Sequence, residues 1–148
     1  MNIKLEFNED DVSRIIQRLE WGTTDSMSAV LAMNKAMAKI ERAAKQKAPK
    51  DTGALRRSIT STVEREGDEL VGTVFTPLEY APYVEYGTGL FAESGGRKDV
   101  PWNYQDDKGE WHSTSGQKPQ PFMRPALQEN REEILRILKR DMFKYIKD

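Results

Sequence analysis

Ala48-Pro49-Lys50-Asp51-Thr52-Gly53-Ala54-Leu55-Arg56-Arg57-Ser58-Ile59 is the joint on which the chain turns. Pro49 has no N–H to donate and steers Ala48 away from helical angles, so a helix arriving from upstream stops there. Asp51, Thr52 and Gly53 supply turn chemistry: two short side chains that bond nearby backbone, and a residue that accepts positive φ cheaply. Sequence of helical period precedes this joint and alternating sequence follows it. The residues therefore predict a helix-to-sheet corner, and by themselves no activity.

Upstream, Thr24, Asp25 or Ser26 is a suitable start for a long helix. Ala29, Val30, Met33, Ala36, Met37, Ile40, Ala43 and Ala44 form its apolar stripe, rich enough in alanine to let another element approach closely. Lys35, Lys39, Arg42, Lys45 and Gln46 fall largely outside the stripe. Further back, Ile3, Leu5 and Phe7 alternate as in a strand, and Val12, Ile15, Ile16 and Leu19 make a short helical face that ends at Gly22. Residues 1–22 thus read as a strand–helix arm, and 23–148 as the core of a single domain.

Downstream, Leu55 to Glu64 is expected as a strand, Glu66-Gly67-Asp68 as a turn, and Leu70 to Thr76 as the hairpin partner, ended by Pro77. Tyr80-Ala81-Pro82-Tyr83-Val84-Glu85-Tyr86-Gly87-Thr88-Gly89 suits either a helical turn or a strand, although Pro82 argues against a central strand. Leu90 to Asp99 is polar and Gly-rich and is expected to be a mobile surface loop. Val100–Tyr104 and Glu110–Thr114 flank Asp106-Asp107-Lys108-Gly109 as a second hairpin, across which Trp102 and Trp111 are candidates to pair. Phe122-Met123-Arg124-Pro125-Ala126 opens the last helix, whose face is Leu127, Ile134, Leu138, Met142 and Tyr145. Its early glutamates and late lysines match the helix dipole.

The chain has 148 residues, with 23 Lys+Arg against 24 Asp+Glu and a net charge of −1. That balance argues against bulk attraction to nucleic acid or to an anionic membrane. With no cysteine, disulfides and thiolate metal sites are excluded. No apolar run is long enough to span a bilayer, and the N-terminus lacks a signal-peptide core. Hydrophobic residues make up 37% and charged residues 32%, which implies a thin core under a wide polar surface, as in a domain that leans on neighbours. The single histidine, His112, lies near Asp106, Asp107 and Glu110, but the spacing misses the calcium-loop pattern and no recognised site accompanies it. It reads as a surface strand residue, and no metal, cofactor or catalytic site is assigned. Gly95-Gly96 lacks the phosphate-loop spacing, and no serine sits in a nucleophile elbow.

Three stretches, taken in order, resemble a family of tailed-phage proteins that act at the head–tail joint of long, non-contractile-tailed phages, known as neck, tail-completion or minor tail components. They are Ala48-Pro49 with Asp51-Thr52-Gly53, Leu55 and Ser58-Ile59; Tyr80-Ala81, Tyr83-Val84-Glu85 and Tyr86-Gly87-Thr88; and Pro119 with Pro121-Phe122-Met123-Arg124-Pro125-Ala126. The resemblance implies a small α+β domain, with a long helix across an antiparallel sheet. It also implies a non-enzymatic ring subunit between the capsid portal or connector and the tail tube, made in the bacterial host cytoplasm and carried in the virion. Partners would be other neck, connector and tail-tube proteins, with no cofactor, membrane or specific nucleic acid. Tyr83, Glu85, Tyr86 and Thr88, with Phe122, Met123 and Arg124, are the family-motif positions and the candidates for an assembly interface. An alternative is a nucleic-acid-binding accessory module using Lys35, Lys39, Arg42 and Lys45 with the tryptophans; a third reading is a small hydrolase centred on His112.

Overall fold

In the computed structural model, residues 1–4, 27–66 and 69–143 are described. Helix α1 (Met27–Lys47) is the central element. Ala29, Ala32, Met33, Ala36, Met37, Ile40 and Ala44 are all buried along it, and Ala48 just beyond its end is buried too. Ala32 lies outside the expected stripe, while Val30 is only half-buried. The reason is that α1 is covered on two sides, by the sheet and by the last helix, so its apolar surface must be wider than the single stripe of a surface helix.

The sheet has three antiparallel strands in the order β1 (Asn2–Lys4), β3 (Glu69–Phe75), β2 (Thr60–Glu66). Strands β2 and β3 pair from Thr60↔Phe75 to Glu66↔Glu69, and β1 pairs through Ile3↔Val74. The Met1 ammonium donates to the Thr76 carbonyl at 3.0 Å, fixing the start of the chain beside the end of β3. Helix α1 lies so close to β3 that a Cβ on Gly72 would run into the Met37 sulfur. The residues expected as the helical part of the N-terminal arm lie outside the described residues, as does the Gly67-Asp68 turn.

The corner departs from expectation at one point. Ala54–Ser58 is a short helix, α2, and β2 starts only at Thr60. Gly53 takes φ +80°, the Ala54 N–H donates to Thr52 Oγ1 at 3.2 Å, and Arg57 N–H reaches the Gly53 carbonyl at 3.0 Å. One helical turn brings Leu55 and Ile59, four residues apart, into the same core. Alternation downstream of Ile59 concealed this turn, because Leu55 and Ile59 satisfy a period of four as well as a period of two.

Tyr80–Gly89 resolves as helical: α3 spans Ala81–Tyr86, with Pro82 in its first turn, and a 3-10 turn follows at Gly89–Phe91. The second hairpin consists of β4 (Trp102–Gln105) and β5 (Trp111–Thr114), a separate two-stranded sheet. Trp102 faces Thr114 and Trp111 faces Gln105, so the expected tryptophan pair does not form. Tyr104 and His112 are opposite instead, with ring centroids 5.3 Å apart. Helix α4 (Met123–Phe143) buries Ala126, Ile134 and Leu138. It runs antiparallel to α1, as the ion pairs Lys35–Asp141, Lys39–Glu133 and Lys47–Glu129 show. The architecture is α+β, as expected. The face residues Met142 and Tyr145 lie beyond the side chains that are described.

Candidate functional site

The N-terminus of α4 has a capping problem that its own sequence does not solve. The first N–H groups of a helix have no intrahelical acceptor. Here the residue before the helix is Phe122, which carries no cap acceptor and is wholly buried. The acceptor comes from α3. Ala81 and Glu85, one turn apart, form its inner face and are both 0% exposed.

The Glu85 carboxylate meets α4 end-on. Oε2 accepts the N–H of Phe122 at 2.8 Å and of Met123 at 3.0 Å, and Oε1 accepts the N–H of Arg124 at 3.1 Å. The next residue, Pro125, has no N–H, so one carboxylate satisfies every donor of that opening turn. The helix dipole adds to the attraction. Burial pushes the Glu85 carboxyl up, but the N–H groups of Phe122 and Met123, together with Arg124, outweigh it and hold the group below the ordinary carboxylate value.

Arg124 joins three pieces of chain. Its Nε donates to Glu85 Oε1 at 2.9 Å, and its two terminal nitrogens grip Glu93 at 2.9 Å each. The guanidinium lies over the Tyr86 ring, 4.6 Å from the centroid. Glu93 and Glu85 push the guanidinium pKa upward, and the Arg124 contact lowers that of Glu93. Glu93 thus ties the Gly-rich segment back to the helix end. Thr88 secures the next stretch: its N–H donates to the Gln117 carbonyl at 2.9 Å, and its Oγ1 accepts the Gln117 N–H at 3.0 Å.

Of the seven motif positions, Glu85, Tyr86, Phe122, Met123 and Arg124 converge at this junction, and Thr88 braces it. Phe122 and Met123 are buried, contributing backbone donors and core side chains. Tyr83 points outward, 59% exposed. The sequence reading missed its neighbours in the chain: Tyr80, Tyr86, Leu90 and Phe91 are also exposed, so five large apolar side chains stand out from one short segment. Leu90 and Phe91 looked like loop residues, but they belong to a 3-10 turn that follows α3 in the chain. Glu93 had no local signal, since its partner lies 31 residues away.

The lysines of the nucleic-acid reading are engaged elsewhere. Lys35, Lys39 and Lys45, three of the four cations of that reading, pair with Asp141, Glu133 and Glu41. Arg140 and Lys35 lower the Asp141 carboxyl to about 2. His112 Nε2 lies 2.8 Å from Asp106 Oδ2 on the exposed hairpin. No helix of the described residues is long and apolar enough to cross a membrane.

Residues 13–87, just over half of the chain, match the protein-family model described as "Bacteriophage HK97-gp10, putative tail-component". No curated protein and no solved structure matches the chain.

Proposed function

The chain belongs to the HK97-gp10-like family of bacteriophage tail components, and from that premise we propose that it is a head–tail joining or tail-completion subunit. It assembles into a ring between the portal or connector and the tail tube, as one structural domain that catalyses no reaction. It is made in the bacterial cytoplasm and stays in the virion.

The observation that carries this reading is the exposure of five large apolar side chains, Tyr80, Tyr83, Tyr86, Leu90 and Phe91, in one short segment anchored by the Glu85–α4 junction. Clustered exposed apolar side chains cost solubility unless a partner covers them. Tyrosine suits such a face, having a large apolar body and a polar end at low entropic cost. The buried Glu85–α4 junction fixes α3 from beneath, so the surface is organised before any partner arrives. A closed ring requires a head-to-tail contact between unlike faces of neighbouring copies. Tyr83, Tyr86, Thr88 and Arg124 would present that contact, with Glu85, Phe122 and Met123 supporting it from below.

The free protein should be monomeric or weakly associating and should assemble on its neighbours. Deleting its gene from the phage and examining lysates by electron microscopy tests the proposal. Unjoined heads and tails, or tails of defective upper end, are expected. Normal, infectious particles lacking the protein would refute it.

A further inference from the structure

We propose that the tip of the β4–β5 hairpin binds one divalent transition-metal ion of the zinc type, through Asp106, Glu110 and His112. The inference is independent of the assembly role. Each of these residues offers one ligand atom, and the three atoms lie within 4.8 Å of one another. The spacing is not that of a calcium loop. The turn and the strand register bring the three together: Asp106 N–H donates to the Glu110 carbonyl at 2.9 Å, and Glu110 and His112 then stand on the return strand's side of the turn.

The parts are held in place for separate reasons. Asp106 Oδ1 accepts the N–H groups of Lys108 and Glu110, both at 2.9 Å, which leaves Oδ2 directed at His112 Nε2. Tyr104 stacks on the imidazole and sets its plane. The Glu110 carboxylate makes no hydrogen bond or ion pair among the described residues, so it is free to swing in as the third ligand. Ligands of a zinc ion sit about 2.0–2.2 Å from the metal and so about 3.4 Å from one another; the 2.8 Å Asp106–His112 contact would open slightly while the wider separations, all within 4.8 Å, close.

The imidazole decides the class of ion. Carboxylates alone favour calcium or magnesium, whereas nitrogen with carboxylate favours zinc, nickel or cobalt. The ion would enter between His112 Nε2 and Asp106 Oδ2, which now lie 2.8 Å apart. Bound there, it would lock the hairpin tip beside Trp111, which is 71% exposed.

The test uses the full chain without a histidine tag. Zinc is titrated calorimetrically, and cobalt or nickel by quenching of tryptophan fluorescence. Saturation at one ion per chain is expected. Glu110→Gln and His112→Gln should each weaken it by at least the roughly tenfold that loss of an outer partner alone costs. Near-ultraviolet circular dichroism should confirm that both variants keep the hairpin; Asp106 is left intact because it holds the turn. No response up to about 1 mM zinc, far weaker than structural sites, would overturn the proposal. So would either variant binding as the parent does, or calcium displacing zinc at equal concentration.

Discussion

The two long helices are finished at their inner ends in opposite ways. At the C-terminus of α1 a cation meets carbonyls: Arg56 Nε donates to the Ala48 carbonyl at 2.9 Å, and its terminal nitrogen to the Gln46 carbonyl at 3.2 Å. At the N-terminus of α4 an anion meets N–H groups, with Glu85 accepting from Phe122, Met123 and Arg124. Both obey the helix dipole. They differ in reach and in burial. Arg56 lies eight and ten residues from its acceptors and is partly in water, whereas Glu85 lies 37 to 39 residues away and is sealed. A short-range, wet cap tidies a corner. A long-range, dry one decides how two segments sit, and here it sets the platform under the exposed tyrosines.

Several measurements would break or sharpen this contrast. Glu85→Ala leaves two buried donors and one part-buried donor without an acceptor and should cost about 3–5 kcal/mol in urea unfolding, with α3 detached from α4. A loss under about 1 kcal/mol, the net worth of one ordinary hydrogen bond, would mean that water reaches the junction. Acid titration comes next. In the folded chain the Glu85 carboxyl lies below its ordinary 4.5. Its contribution is fully present above that value and is lost as pH falls through the folded one. Glu85→Gln should remove that part of the acid sensitivity. Arg56→Ala should cost only about 1 kcal/mol, because its contacts are partly screened. Glu93→Gln should leave global unfolding unchanged yet speed amide exchange at Phe91 to Glu93, where the segment is tied to Arg124. Last, Tyr83→Ser should change stability by no more than about 0.5 kcal/mol while lowering the yield of joined virions in complementation of the gene deletion.

Much of the fold was legible because it is written locally. The proline stop at Ala48-Pro49, the alanine-rich face of α1, the β2–β3 pairing and the last helix all follow from period and turn chemistry within about a dozen residues. The misreadings occurred where one local pattern fits two structures. Leu55 and Ile59 allowed strand or helix, and Trp102 and Trp111 looked paired because register depends on the turn, which instead set Tyr104 against His112. The motif positions were found by resemblance, without their division of labour. Nothing near Phe122 says that its N–H is answered by Glu85, and nothing near Lys39 says that Glu133 will neutralise it.

By itself the sequence determined a helix, a corner, a hairpin and a second helix, since backbone angles and apolar periodicity act over a few residues. Tertiary structure alone decided which polar groups are buried against which. Glu85 beneath α3, Ala32 between two layers and the exposed aromatic segment depend on segments distant in the chain becoming neighbours, and desolvation acts only once they have met.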